Sequence, residues 1–311
     1  MEISRLMRLV RVAPLALSVG LAAAPQADPK ADDVLKAARA ALGGESTLAK
    51  VQSLSITGAS RRMMGDREIA GDATVDLLLP DKMRRTDSFG IPGGPTMERV
   101  SVLNGDEVWD DSTNRGGGGG LMRFGGPGGP GGPGGSGGQS GPGGRAFTEE
   151  DRQRFHAMQI KRMKNEFARY SLGWLLRTTA PVSYTGIAEA DDGKADVLEI
   201  KPEGGTPVKL FVDQQSHLPL MLTYEGPLPR MVMRQAGQQP PTQEELEKMR
   251  REPPQTATFE VRFSDYKKVD GVLLPHLITT GANGKVTEEW TVDKYKVNPV
   301  LKPESFVKKG S

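Results

Sequence analysis

Thr258–Pro299 reads TFEVRFSDYKKVDGVLLPHLITTGANGKVTEEWTVDKYKVNP, and its patterning decides the fold. Phe259, Val261 and Phe263 alternate with Glu260, Arg262 and Ser264, the period of two that marks a half-buried strand. Tyr266–Gly271 leads into a second run, Val272–Thr280, and Asn283-Gly284 parts that run from a third, Lys285–Val297. Asn-Gly suits the two positive-φ positions of a type I′ hairpin turn. A plain two-residue turn sets Leu277 opposite Trp290 and Thr279 opposite Glu288. Leu274, His276 and Ile278 then take the other face, opposite Asp293, Thr291 and Glu289. Strands this long belong to strongly curved sheets and barrels. The expectation is a curved antiparallel sheet.

Working outward, Pro181 opens a series of strands: Val182–Ala188, the turn Asp192-Gly193, Asp196–Lys201, Pro207–Val212 and Leu218–Tyr224. Nearer the start, Val51–Ser60, Ile69–Leu79 and Lys82–Phe89 alternate in the same way, with Pro80-Asp81 as a turn. Thr96–Leu103, Asn104-Gly105-Asp106 and Glu107–Asp110 form a further hairpin. Two helices stand out. Asp28–Leu42 is Ala-rich, carries Asp28, Asp32 and Asp33 in its first turns and stops at Gly43-Gly44. Val34, Leu35, Ala38 and Leu42 give it a modest apolar stripe. The second runs from an N-cap at Thr148 to about Arg177. Its stripe is Phe155, Met163, Phe167, Tyr170 and Trp174, flanked by Met158 and Leu175, with Lys161, Arg162, Lys164 and Arg169 on the other side. Two readings of that stripe stay open: it covers the core, or it is a mobile lid over an apolar cavity.

Two segments break the pattern. Gly116–Gly144 is almost wholly Gly and Pro, has nothing to pack, and is expected to be a disordered insertion. It lacks the strict triplet period of collagen and any Lys-Ser/Thr that would make it a phosphate loop. A Pro-, Gln- and Met-rich insertion covers 226–256, with room for one short helix after the capping box Thr242–Glu245.

Composition removes several function classes. Residues 1–27 resemble a cleaved secretory signal, with Arg5, Arg8 and Arg11 before the short apolar run Val12–Ala24; a retained anchor is the alternative. The remainder, 28–311, is expected to form a single domain. There is no Cys, which excludes disulfides, thiolate metal sites and a lipid-modified N-terminal Cys. The leader holds three Arg and one Glu, so the rest of the chain is formally neutral and offers nucleic acid no basic surface. The three histidines, His156, His217 and His276, show no metal-ligand spacing. No serine sits in a nucleophile elbow, and Glu288 and Glu289 point to opposite faces of one strand. No catalytic residue, cofactor or metal is expected.

The order of the pieces resembles a known family. ESTLAKVQSLSI (Glu45–Ile56), LLLPDKMRR (Leu77–Arg85), VLNGDEVWDD (Val102–Asp111), VDQQSHLPLML (Val212–Leu222) and NPVLKPESFVKK (Asn298–Lys309) are together similar to the periplasmic lipoprotein-carrier superfamily, LolA/LolB-like. The resemblance implies an α+β fold: an incomplete antiparallel β-barrel, or half-barrel, with helices covering a concave face that holds acyl chains. In the carriers an Arg tied to lid closure precedes the strand-ending Pro; here Leu79 stands there, with Arg84 and Arg85 just beyond the turn.

The expected function is a periplasmic, non-enzymatic binding or carrier protein for lipid or lipoprotein acyl chains, released from its signal and not lipid-anchored. The expected groove residues are Leu77, Leu79, Leu198, Ile200, Leu210, Val212, Phe259, Val261, Phe263 and Trp290, with Phe155, Met163, Phe167 and Trp174 as the lid. The alternatives are an envelope regulatory module that uses the fold to bind a protein partner, and an enzyme assembled from scattered residues.

Overall fold

A computed structural model describes residues 28–64, 67–90, 96–115, 149–190, 193–228 and 255–308. The expected leader and both expected insertions lie outside them, except for residues 226–228 and 255–256 at the second insertion's two ends, where the flanking strands close. Three helices are described: α1 (Pro29–Leu42), α2 (Glu45–Ala49) and α3 (Glu149–Leu175), followed at the C-terminal end by a 3-10 turn, Pro303–Phe306. The strands are β1 (Ser53–Met64), β2 (Arg67–Leu78), β3 (Lys82–Gly90), β4 (Thr96–Asn104), β5 (Glu107–Arg115), β6 (Val182–Ala190), β7 (Gly193–Ile200), β8 (Val208–Asp213), β9 (Pro219–Pro227), β10 (Thr256–Val269), β11 (Val272–Ala282) and β12 (Lys285–Val297).

All twelve join one antiparallel sheet in the order β5-β4-β3-β2-β1-β12-β11-β10-β9-β8-β7-β6. It is two meanders joined where the first strand pairs with the last, and β5 and β6 remain as open edges. The sheet is not flat. Neighbouring strands lie about 4.8 Å apart, so β3 and β12 would be separated by about 14 Å and β3 and β9 by about 29 Å on a flat surface. Yet Arg85 of β3 bonds Glu288 of β12 at 2.9 Å. The adjacent α3 residues Tyr170 and Arg169 reach β3 and β9 respectively, through Arg85 at 2.6 Å and the Tyr224 ring at 4.1 Å. The sheet therefore curls, with these residues on its inner face.

The hairpin turn is as expected, with Asn283 at φ 49° and Gly284 at φ 76°. The register is not. Ala282 pairs with Lys285 and Gly281 with Val286, but a bulge then places Thr280 opposite Glu288 and Ile278 opposite Trp290. One extra residue on β12 shifts every later pair, because side chains alternate with period two. Leu277, expected opposite Trp290, faces Thr291 instead. The bulge turns Glu288, Trp290 and Val292 inward beside Thr280 and Ile278.

Most of the core lies on the inner face. The α1 residues Ala31, Val34, Leu35, Ala38 and Leu42 and the α3 residues Met163, Leu172, Trp174 and Leu175 share one apolar cluster with Leu54, Ile56, Leu77, Leu198, Leu210 and Phe263. Asp28 caps α1 by accepting from Lys30 N at 3.1 Å and Ala31 N at 3.3 Å, and Gly43 at φ 134° ends the helix. A small second cluster on the outer face joins Val100 and Val102 to Phe306 of the 3-10 turn.

Candidate functional site

The inner face is apolar along most strands, and a cluster of four charged side chains breaks that rule. Arg62 of β1, Arg85 and Asp87 of β3 and Glu288 of β12 meet there. Arg62 joins Asp87 at 2.5 Å and Glu288 at 3.0 Å. Arg85 joins Asp87 at 3.1 Å and Glu288 at 2.9 Å, and Ser60 adds a hydroxyl to Glu288 at 2.9 Å. The helix closes the network: Arg85 donates to the Tyr170 hydroxyl at 2.6 Å, and that hydroxyl donates to Glu166 at 3.0 Å.

Burial works against charge here, and the partners decide the outcome. Burial pushes the Glu288 carboxyl up, but Arg85, Arg62 and the Ser60 hydroxyl outweigh it and hold the group at about 2. Burial likewise opposes the Arg85 cation, and Tyr170, Asp87, Glu288 and Glu166 overcome that and keep it charged. The Tyr170 hydroxyl is raised by burial and stays protonated. The result is a fixed set of dipoles and paired charges.

Beside the network lies a cavity of about 260 Å³ between α3 and strands β9–β12. Leu222, Val261, Phe263, Ile278 and Trp290 give it apolar walls, Trp174 and Tyr170 come from the helix, and Arg85 and Glu288 close one side. Arg162, Glu166, Arg169, Tyr224 and Thr280 complete the lining, and Arg169 is held over the Tyr224 ring as a cation–π pair. Trp174 meets Trp290 edge-on, with ring centroids 6.1 Å apart. Gly173 lets the helix come this close, since a Cβ there would stand 2.7 Å from Phe263 Cζ.

Of the ten expected groove residues, Val261, Phe263 and Trp290 line this cavity. Leu77, Leu198, Ile200, Leu210 and Val212 are buried in the surrounding core, and Leu79 packs against it half-buried. Phe259 stacks on Tyr224 at 5.2 Å. Of the four expected lid residues, Trp174 lines the cavity, Met163 is buried, Phe167 is half-buried against the core, and the side chain of Phe155 is outside the described residues. Met158, read beside that stripe, is 56% exposed, so the helix packs mainly through its C-terminal half.

The charge network was not expected. Its members are far apart in sequence, and what marks them is a polar side chain at an inward position of an otherwise apolar strand, as in Met83-x-Arg85-x-Asp87 and Glu288-x-Trp290-x-Val292. His276 is buried, with Nδ1 3.0 Å from Leu274 O and its ring edge-on to Tyr295, while His156 and His217 are exposed. Among the described residues, no cluster of three acidic or His side chains could hold a metal, and no helix is long and apolar enough to cross a membrane. A second hollow of about 270 Å³ lies between α1, α2 and the end of α3. Its Arg39 and Arg177 are engaged by the carbonyls of Leu176 and Leu48, which makes them helix-end supports.

No family model and no curated protein matches the sequence. Solved structures similar to it include a LolA superfamily protein from Nitrosomonas europaea, at 12% identity and TM-score 0.46, covering 89% of this chain and 97% of that one. A putative outer membrane lipoprotein-sorting protein domain from Vibrio parahaemolyticus aligns at 12% identity and TM-score 0.42, over 89% and 97% of the two chains. A DUF1329 family protein from Desulfovibrio piger aligns at 12% identity and TM-score 0.42, over 90% and 98%.

Proposed function

We propose that the chain is a periplasmic binding or carrier protein for an acylated ligand, lipid or lipoprotein, taken up between α3 and the inner face of the curled sheet. The observation that carries this reading is the apolar-walled cavity at that interface, flanked by charges that are already paired with one another. Such a wall recognises hydrocarbon through area alone, at about 0.8 kcal/mol per buried methylene.

The cavity's 260 Å³ falls below the range of about 300–1,000 Å³ usual for ligand pockets and amounts to about nine waters. Two acyl chains do not fit it as it stands. In this proposal α3 is a cover that lifts: its first half packs little, and its second half is fastened by the Tyr170–Arg85 bond and the Arg169–Tyr224 contact. Ligand entry separates the helix from Phe263 and Trp290 and widens the groove toward Leu198 and Leu210.

The test is native mass spectrometry and lipid extraction of the protein purified from its own envelope. Acyl lipid in near-stoichiometric amount is the expected result. An empty protein whose Trp fluorescence ignores added acyl lipid would sink the proposal.

A further inference from the structure

Three buried side-chain polar groups where α3 meets the sheet go unused in the closed arrangement of the described residues. Trp290 is 3% exposed, and its indole N–H meets neither solvent nor an acceptor among the described residues. An indole N–H can only donate, and a buried donor left unmet is costly. Ser171, on the α3 face that meets the sheet, has a buried hydroxyl in the same condition. The Trp174 N–H is also without a hydrogen bond, although it lies near enough to the Tyr295 hydroxyl to influence it.

The rest of the lining narrows what could satisfy Trp290. Arg85, Glu288, Glu166 and Tyr170 answer one another, Arg162 is paired with Asp110 and Arg169 is held over the Tyr224 ring, so a free carboxylate would have to draw a cation of the lining away from a partner it already has. Val261, Phe263 and Ile278 offer no polar atom at all. A plain hydrocarbon would fill the space and leave the indole donor unmet. A neutral acceptor set between alkyl segments suits both demands, and an ester carbonyl is that group.

We infer that Trp290 is the ester-recognition residue of the cavity: its indole N–H takes the carbonyl oxygen of an O-acyl ester whose chain lies along Phe263, Val261 and Ile278. This rests on the acyl-binding reading above and names its ligand class. Trp174, edge-on to Trp290 in the closed form, uncovers the donor when α3 lifts.

The experiment uses the full chain with two probes of equal chain length, monooleoylglycerol and its oleyl ether counterpart, which lacks the carbonyl. The ester is expected to bind roughly 3- to 10-fold tighter, the worth of one neutral hydrogen bond. In Trp290→Phe, which keeps an aromatic ring and loses the N–H, the ratio of ester to ether affinity falls to about 1, whatever the change in binding of either probe alone. The Trp290 indole N–H resonance of the unmodified protein moves on adding the ester and stays put with the ether, a reading that holds even if the variant fails to fold. Equal binding of the two probes, or a preference that survives in Trp290→Phe, would overturn the assignment and leave the acyl-binding proposal standing. Binding of neither probe would overturn both.

Discussion

Arg85 of β3 donates to Glu288 of β12 at 2.9 Å across the two strands that lie between them. The pair is the place where the curl of the sheet and the seat of α3 are fixed together, since the same guanidinium holds Tyr170. Removing one partner strands a buried charge. Arg85→Met is predicted to cost about 3–5 kcal/mol. Replacing both, as Arg85→Met/Glu288→Leu, leaves Arg62 and Asp87 as a matched pair at 2.5 Å and is predicted to recover about 2–3 kcal/mol of that loss. Urea unfolding of the single and double variants measures the coupling. Strictly additive losses would show that the network does not act as a unit.

Acid should find this network early. Glu288 is held at about 2 in the folded protein against an ordinary 4.5. Between those values the unfolded chain binds the extra proton, so stability rises with pH across that window. The contribution is fully present above about pH 4.5, is lost as pH falls through about 2, and amounts at most to about 3 kcal/mol. Glu288→Gln should flatten the stability–pH curve between those limits. An unchanged slope in that variant would mean that another carboxylate sets the acid limb.

Gly58 sits where β1 shifts register against β12, and a Cβ there would stand 2.1 Å from the Thr291 carbonyl oxygen. Neither backbone can give way without flattening the bend. Gly58→Ala is predicted to cost about 3 kcal/mol, the upper end for overpacking. A melting temperature within error of the parent would refute the tight-bend account.

Gly173 makes an opposing case. In an exposed helix Gly→Ala gains about 1 kcal/mol. Here the added methyl meets Phe263, so Gly173→Ala is predicted to lose about 1–2 kcal/mol and to push α3 outward. Hydrogen exchange should show faster amide exchange in α3 with β10 unchanged. A more stable variant would mean that the helix seats loosely on the sheet.

The type of nearly every element was legible in the sequence, because alternation along β10 and β12 and the spacing of Met163, Phe167, Tyr170 and Trp174 are local signals. The register of the hairpin was not, since the bulge between Thr280 and Gly281 leaves no mark that Asn283-Gly284 would reveal. That single residue decided which side of the sheet Trp290 and Glu288 face. The cavity residues Val261, Phe263 and Trp290 could be named from apolar pattern, but not told apart from Leu77 or Leu210, which have the same pattern and lie in packed core. Arg62, Arg85, Asp87 and Glu288 come together only through the pairing of the first strand with the last. Nothing within a short window announces a contact across 226 residues.

Asp28 does two jobs with one carboxylate. One oxygen caps α1; the other accepts the backbone N–H of Tyr184 on the edge strand β6 at 2.7 Å, 156 residues further along. A chain made from its N-terminus presents α1 first, yet α1 cannot take its final place until β6 exists. The two contacts of Asp28 thus tie the final seating of α1 to the presence of β6. The helix also covers one point of that edge: the backbone donor at Tyr184, which a foreign strand could otherwise use, is taken up when the helix docks.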